Sequence, residues 1–324
     1  MMLQRIHAFF NPEDFRGWGK KKNYFEGWYF KMVSADEGTA LAIIPGIAMD
    51  PQGNGHAFIQ VLDGRQRSSV YHRFPLVDFK AEKYKFGIRI AGNYFSDKEL
   101  RIQLPGFTGR LIFEGNYSWP KPFYSPGIMG PYSFAPFMEC YHGIVSMDHS
   151  VTGELLIGDN PVNMNGGRGY IEKDWGRSFP SAYFWMQSNH FQEPGISFKC
   201  SVARIPWLRN AFTGFIAGLL IKGKLYRFTT YNGTRLKRSL ADEQHVDIWL
   251  ENKRYRLQVM ALRDQTTLLA SPIHGFMNGR IEESMSARID VTLFDKKQNA
   301  PVFQQQGRNA GLEVAGNISL ITMV

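Results

Sequence analysis

The residues best suited to acid–base chemistry lie near the middle of the chain, in the stretch GGRGYIEKDWGRSFPSAYFWMQSNHF from residue 166 to 191. Within it, Glu172 and Asp174 flank Lys173. A carboxyl group in apolar surroundings can keep its proton near neutral pH and serve as a general acid. Glu172 and Asp174 are therefore candidate catalytic residues.

The same charges also have a structural interpretation. Lys, Arg, Asp and Glu are rarely buried without a partner. Glu172 and Asp174 could therefore belong to an ion-pair network with Lys173, Arg177 and Arg280 that holds two parts of the protein together. The residues alone leave both interpretations open, and we keep Arg177 as a candidate ligand-binding residue.

Further carboxylates occur in strand-like surroundings. Glu26 lies within FEGWYF, and Glu282 with Glu283 follows GFMNGRI. Acids whose pKa values differ can divide the roles of acid and base between them. We count Glu26 and Glu282 among the candidate ligand-binding residues.

The segment AYFWMQSNHF predicts a strand that lines a cavity. Side chains alternate between the two faces of a strand, which places Tyr183, Trp185, Gln187 and Asn189 on one face. That face begins with aromatic rings and ends with two amides, a pattern typical of a cavity wall. His190 is either a hydrogen-bonded residue at the cavity edge or a catalytic base.

The tryptophans and a second histidine have two interpretations each. Trp28, Trp175 and Trp185 either fill a core or form a wall that faces an apolar or cationic intermediate. His142, like His190, is a candidate for the edge of a cavity or for a base.

Several kinds of chemistry are disfavoured by missing motifs. The eight histidines are scattered without HExxH or CxxC spacing, so no metal site is predicted. A GxSxG nucleophile motif is absent, and the glycines of GGRGYIEKDWG do not follow the GxGxxG order of a dinucleotide loop. We therefore expect no cofactor.

Composition and charge bound the choice of partners and compartment. The net charge is +9, yet the cations are scattered and no nucleic-acid-binding motif accompanies them. The scattered cations are typical of a solvated surface. Peripheral contact with an anionic membrane is the second interpretation, and nucleic acid is not expected. Two cysteines cannot form a disulfide framework, and the first residues show no secretory or transit signal, so we expect a cytoplasmic protein.

Short aromatic and β-branched runs predict strands almost throughout. They end at Gly, Asn, Asp or Pro, as in HAFIQVLDG and GRLIFEGNYS, and no segment has a sustained helical period. The exception is residues 119–136, WPKPFYSPGIMGPYSFAP, whose five prolines predict a long irregular loop that packs against another part of the protein.

A weak internal similarity divides this all-β chain into two halves. YFEGWYFKMV and EKDWGRSFPSAYFWMQ both place an acid and a glycine before an aromatic strand. We predict two packed antiparallel β-barrels, an N-terminal domain of residues 1–160 and a C-terminal domain of residues 161–324. Closed barrels are expected because closure removes exposed edge strands.

Four segments resemble the tocopherol cyclase family: NYFEGWYFK, the stretch 166–191, FTGFIAGLL with GKLYRFTTYNG, and GRIEESMSARIDVTLFD. The resemblance implies two lipocalin-like (calycin) barrels related to those of carotenoid hydratases, and a hydrophobic isoprenoid ligand. It implies neither a redox cofactor nor a metal. The missing plastid-targeting extension suggests a bacterial relative.

The resemblance also implies a reaction, in which the phenol oxygen of a prenylated quinol adds across a trisubstituted double bond and closes a chromanol ring. That reaction needs a proton donor for the alkene, a base for the phenol proton and a wall that tolerates positive charge. Asp174 or Glu172 would be the acid, and the three tryptophans would line the isoprenoid tail. Gln187, Asn189 and His190 would orient the quinol head. The alternative is a non-catalytic carrier of a hydrophobic lipid, in which Asp174 pairs with Arg177.

Overall fold

The computed structural model describes residues 2–324 and is built almost entirely of antiparallel strands. The helices in this range are α1 (Met2–Phe10) and three 3₁₀ helices at Leu76–Asp78, Gly130–Phe134 and Ile318–Leu320. None of the helices described is long and apolar enough to span a membrane. The prediction of an all-β protein with few, short helices is confirmed.

The first sheet has twelve strands. They are β1 (Tyr24–Val33), β2 (Ala40–Met49), β3 (Gly55–Asp63), β4 (Ser68–Pro75), β5 (Phe79–Ala81), β6 (Ile88–Ile90), β7 (Asn93–Phe95), β8 (Glu99–Leu104), β9 (Phe107–Glu114), β10 (Cys140–Ile157), β11 (Asn160–Asn163) and β12 (Gly167–Gly176). Their order is β4-β3-β2-β1-β12-β10-β9-β8-β7-β6-β5, and β11 pairs with β10.

The second sheet has ten strands. They are β13 (Ala182–Ser188), β14 (Ile196–Trp207), β15 (Asn210–Ile221), β16 (Lys224–Thr229), β17 (Arg235–Ala241), β18 (His245–Glu251), β19 (Tyr255–Leu262), β20 (Thr267–Ile273), β21 (Phe276–Asp295) and β22 (Ala300–Gly316). Their order is β16-β15-β14-β13-β22-β21-β19-β18-β17, and β20 pairs with β21.

The two sheets share one topology. Each opens with a four-strand meander, β1–β4 or β13–β16, whose first strand pairs with the last long strand of the same sheet, β12 or β22. The strand order thus repeats in the two halves. In the first sheet β4 and β5 stand at the ends of the order, and no pairing of β4 with β5 closes it within residues 2–324. The chain instead passes from β4 to β5 through the 3₁₀ helix at Leu76–Asp78.

Each sheet surrounds a core of its own. Alternate residues of β1, including Trp28, Phe30 and Met32, belong to the first core. Phe184 and Met186 of β13 belong to the second. Because strand side chains alternate, the opposite faces of β1 and β13 carry different residues, and on β13 these include Trp185 and Gln187.

Contacts between residues divide the chain into two compact units. The first comprises the residues up to Phe179 together with Leu269–Arg280, and the second comprises Pro180–Leu268 and Ile281–Val324. The first boundary between the units lies after β12 in the chain. Strand β12 pairs with β1 and β10 and so belongs to the first unit. The boundary at residue 160 stays a prediction about independent domains.

A hairpin formed late in the chain is part of the first unit. The Gln60 side chain accepts a hydrogen bond from the backbone N–H of Ala270 at 3.0 Å, and the Met49 N–H donates to the Gly275 carbonyl at 2.9 Å. The rings of His56 and Phe276 meet edge to face at 5.4 Å. These contacts explain why Leu269–Arg280 groups with the N-terminal residues.

The proline-rich segment 119–136 is largely irregular, as predicted, but it contains the 3₁₀ helix Gly130–Phe134. Pro131 lies at the start of that helix, where a backbone N–H would have no acceptor within the helix, so proline is tolerated there. The expectation of no regular structure was therefore too strict. The segment packs against α1 through the stacked rings of Phe10 and Phe123.

Candidate functional site

Strand β12 carries the central charged motif and divides it between two faces. Ile171 and Trp175 lie in the core of the first unit, so the intervening Lys173 faces the same way. Glu172 and Asp174 face the opposite side of the sheet. The motif is therefore two separate groups of residues rather than one network.

On the core side, Lys173 and Glu26 form an ion pair. Lys173 Nζ lies 2.5 Å from Glu26 Oε1, and both side chains are 0% exposed. The Glu26 carboxylate also accepts hydrogen bonds from the backbone N–H groups of Arg16 and Gly17, each at 2.8 Å, and from the Tyr24 hydroxyl at 2.7 Å. Both oxygens of this buried carboxylate therefore have hydrogen-bond partners.

The remaining donors of Lys173 bind the segment that follows α1. Its ammonium group donates to the Pro12 carbonyl at 3.0 Å and to the Asp14 carbonyl. Burial lowers the pKa of Lys173 to about 8, and the nearby Glu26 carboxylate opposes that shift. Lys173 therefore anchors the N-terminal segment to the sheet.

Two of the predicted cavity tryptophans surround this ion pair. Lys173 Nζ lies 4.7 Å from the ring centre of Trp28 and 4.9 Å from that of Trp175. The Arg16 guanidinium lies 4.5 Å from the Trp175 ring, which stacks on Tyr141 at 5.5 Å. In this structure Trp28 and Trp175 are buried and contact cations of the protein itself. Their role in ligand binding, like that of Glu26, stays a prediction.

On the opposite face, a histidine joins the two acids. His142 Nδ1 is hydrogen bonded to Asp174 Oδ1 at 2.7 Å, and His142 Nε2 lies 3.4 Å from Glu172 Oε2. The Tyr170 hydroxyl donates to the same Glu172 oxygen at 2.5 Å. We call Tyr170, Glu172, Asp174 and His142 the acid–imidazole cluster.

Strand register explains why this cluster forms. His142 of β10 is directly opposite Asp174 of β12, so their side chains project from the same face. On the other flank, β1 places Tyr29 opposite Glu172 and Lys31 opposite Tyr170. Tyr29 and Lys31 are both buried. The cluster is therefore bordered by an aromatic ring and a cation.

The contact with Asp174 fixes the orientation of the His142 imidazole. A carboxylate can only accept a hydrogen bond, so the Asp174 contact places the proton of a neutral imidazole on Nδ1. His142 Nε2 is buried and makes no hydrogen bond to any of residues 2–324. Asp174 thus orients the ring and leaves a basic nitrogen beside Glu172, the arrangement of a histidine–aspartate pair in acid–base catalysis.

Tyr170 is the hydroxyl donor of the acid–imidazole cluster. Burial, followed by the charge of Glu172, raises the pKa of Tyr170 well above its ordinary value of 10. Tyr170 therefore remains a neutral donor to Glu172.

The same residues have the donor types of a metal site. One ligand atom from each of His142, Glu172 and Asp174 lies within 4.8 Å of the others. Imidazole and carboxylate groups can bind several divalent cations. The expectation of no metal thus stays a prediction.

Four predicted site residues belong to the second unit. Trp185 and Gln187 lie on β13, on the face opposite that unit's core, and both are buried. Asn189 and His190 follow the strand, and Asn189 Oδ1 lies 3.1 Å from His190 Nδ1. Because these residues are in another unit, their roles as ligand-binding residues, and that of His190 as a base, stay predictions.

The remaining charged candidates are exposed. Arg177, Arg280 and Glu282 have exposed side chains, whereas Glu283, next to Glu282, is buried. Arg177 and Arg280 form no salt bridge with any of residues 2–324. The suggested ion-pair network is therefore absent from residues 2–324: Lys173 pairs with Glu26, and Glu172 and Asp174 lie against His142. Binding roles for Arg177 and Glu282 stay predictions.

The sequence interpretation missed Tyr170 and underrated His142. The alternation Tyr170, Glu172, Asp174 was visible in GYIEKDWG, because every second residue of a strand shares a face. No local signal identified His142 as the partner of Asp174, since their proximity depends on the register of β10 against β12.

Comparison with known proteins gives the chain its relatives. A family model described as tocopherol cyclase-like matches residues 112–316. "Probable tocopherol cyclase, chloroplastic" of Oryza sativa subsp. japonica is 21% identical over 273 residues, and "Tocopherol cyclase, chloroplastic" of Zea mays is 23% identical over 279 residues. Each alignment covers 79% of this chain and 53% of the relative. The chain thus spans about half the length of these relatives.

Solved structures show the same fold at low sequence identity. CghA superposes with a TM-score of 0.56 at 11% identity, covering 91% of this chain and 88% of CghA. A protein of Nitrosomonas europaea described as AttH superposes with a TM-score of 0.52 at 16% identity, covering 90% and 92%. The prediction of two lipocalin-like antiparallel barrels is confirmed at the level of fold.

Proposed function

Because the chain belongs to the tocopherol cyclase-like family, we propose that it cyclises a prenylated quinol by acid–base catalysis at the acid–imidazole cluster. The observation that carries the proposal is the position of His142, bound through Nδ1 to Asp174 and with Nε2 3.4 Å from Glu172 Oε2. The names of the two plant relatives suggest the substrate class.

The first step is protonation of the alkene. The Glu172 carboxyl group gives its proton to the less substituted carbon of the double bond, so its O–H bond breaks and a C–H bond forms. Positive charge then develops on the tertiary carbon. The neighbouring Tyr29 and Tyr170 rings can stabilise that charge through their electron-rich faces.

The second step closes the ring and restores the catalyst. The phenol oxygen bonds to the tertiary carbon while His142 Nε2 takes the phenol proton. His142 then returns a proton to the Glu172 carboxylate across the 3.4 Å gap. Asp174 keeps the imidazole in the orientation that both transfers need. The cycle is redox-neutral and leaves the enzyme in its starting protonation state.

The supporting contacts on the core side have a separate role in this account. Lys173 and Glu26 hold the N-terminal segment against the sheet, so they position β12 and do not touch the reacting atoms. We further propose that the protein works in the cytoplasm at a membrane surface, because a prenylated quinol partitions into lipid.

The proposal is tested by incubating the purified chain with prenylated quinols and separating the products by chromatography. Separation is needed because cyclisation does not change the mass of the substrate. We expect chromanol formation to be lost in Glu172→Gln and kept in Glu154→Gln, which changes an exposed acid of β10. A co-purified lipid returned unchanged, with no chromanol from any quinol, would support the non-catalytic carrier instead.

A further inference from the structure

Exposed aromatic side chains concentrate on one part of the first unit. In segment 119–137, Phe123 and Tyr124 are 77% and 75% exposed, and Phe134 and Phe137 are also exposed. Ile6 of α1 is exposed as well. Contiguous exposed apolar residues of this kind mark an interaction surface.

These residues form one surface because α1 and the segment pack together. Phe10 stacks on Phe123, with ring centres 5.0 Å apart and an interplanar angle of 15°. Phe9 contacts Phe134 at 5.1 Å. We call α1 with residues 119–137 the aromatic surface.

The aromatic surface is held in place by contacts at its base. Lys121 forms an ion pair with Glu13, and Gly127 at φ +81° lies against the Pro12 ring. Pro12 is in turn bound by Lys173 through its carbonyl. The exposed rings are therefore presented from a fixed base and do not sit at the tip of a loose loop.

Charge distinguishes among the partners that such a surface could meet. Residues 2–10 and 119–137 contain no Asp or Glu, and their cations are Arg5 and Lys121. Arg5 donates to the Trp18 carbonyl at 2.8 Å, which places α1 beside the exposed run Lys20–Lys22. An apolar surface without acids, bordered by lysines, complements an anionic lipid bilayer.

We propose that the aromatic surface docks on an anionic lipid bilayer, with Phe123 and Tyr124 inserted at the headgroup level and Lys20–Lys22 against lipid phosphates. Aromatic rings favour that depth of a bilayer, and each lysine near the surface adds electrostatic attraction. The inference rests on the proposed work at a membrane surface and names the part of the protein that docks, and docking needs none of the acid–imidazole cluster.

Sedimentation with vesicles tests this surface. The full chain is mixed with vesicles of phosphatidylcholine alone or with about one third phosphatidylglycerol, and the bound fraction gives the partition coefficient. We expect the protein to bind the anionic vesicles, and Phe123→Ser with Tyr124→Ser to weaken that binding about tenfold or more. The matched control is Val70→Ser with Val77→Ser, which changes exposed residues of the same unit outside the aromatic surface.

A second variant separates the electrostatic contribution. Replacing Lys20, Lys21 and Lys22 by Gln should weaken binding to the anionic vesicles and leave binding to neutral vesicles unchanged. Equal binding by the wild type and the Phe123/Tyr124 variant, or an equal loss in the valine control, would overturn the proposal. Failure of the wild type to sediment with anionic vesicles would also overturn it.

Discussion

His142 Nδ1 lies 2.7 Å from Asp174 Oδ1, although 32 residues separate them in the chain. The pairing of β10 with β12 creates this contact. It fixes the imidazole so that Nε2 faces Glu172. The proposed return of a proton from His142 to Glu172 depends on this relationship.

Asp174→Asn should reduce the turnover number by about 10²–10⁴-fold. An amide at this position can donate to Nδ1 and stabilise the wrong imidazole tautomer, which places a proton on Nε2 and removes the base. Steady-state kinetics with circular dichroism as the check on folding measures the effect. Asp159→Asn, at the exposed turn after β10, is the control. Equal activity in both variants would remove Asp174 from the mechanism.

Glu26→Gln should lower the free energy of unfolding by about 3–5 kcal/mol, because it leaves the fully buried Lys173 ammonium without its carboxylate. Urea denaturation gives the value. The matched control is Glu193→Gln, whose ion pair with Lys222 is exposed and should contribute at most about 1 kcal/mol. A loss below the control value would show that the buried ion pair does not anchor the segment after α1.

The free energy of unfolding should fall as the pH is lowered, because His149 takes up a proton when the protein unfolds. Burial lowers the pKa of His149 from 6.5 to about 3. Between these values the unfolded chain binds a proton that the folded chain does not, so lowering the pH favours unfolding. The contribution is present above pH 6.5 and is lost towards pH 3, at about 1.4 kcal/mol per pH unit.

The variant His149→Asn isolates this effect. The slope of the unfolding free energy against pH, measured between pH 4 and 6, should become shallower by the amount that corresponds to the uptake of one proton on unfolding. The control His274→Asn changes an exposed histidine and should leave the slope unchanged. An unchanged slope in His149→Asn would mean that the histidine is protonated in the folded protein.

Chelation should not reduce cyclisation. The proposed transfers use only Glu172 and His142, so dialysis against a chelator is expected to leave the rate unchanged. Loss of activity that one divalent cation restores would assign the three ligand atoms of His142, Glu172 and Asp174 to a metal instead.

The local sequence pattern was sufficient to predict the strands and which candidate site residues of one strand share a face. Alternation along GYIEKDWG and AYFWMQS placed Glu172 with Asp174 and Trp185 with Gln187, and glycine and asparagine turns marked the hairpins. These features depend on neighbours in the chain, which the sequence displays directly.

The local sequence pattern could not predict which strands pair when they are far apart in the chain. The partner of Lys173 depended on which strand lay beside β12, and β1, which carries Glu26, lies there. The same register brought in His142 from β10. The grouping of Leu269–Arg280 with the first unit likewise rests on tertiary contacts, such as the one between Ala270 and Gln60, that no spacing in the sequence encodes.

The most direct test of the central claim is cyclisation in D₂O, followed by mass spectrometry of the chromanol. We predict that the wild-type product carries one deuterium on the ring carbon that was the less substituted alkene carbon, because Glu172 exchanges its proton with solvent before donating it. Glu172→Gln should give no chromanol. Chromanol without carbon-bound deuterium, or formation by Glu172→Gln at the wild-type rate, would contradict proton transfer from Glu172.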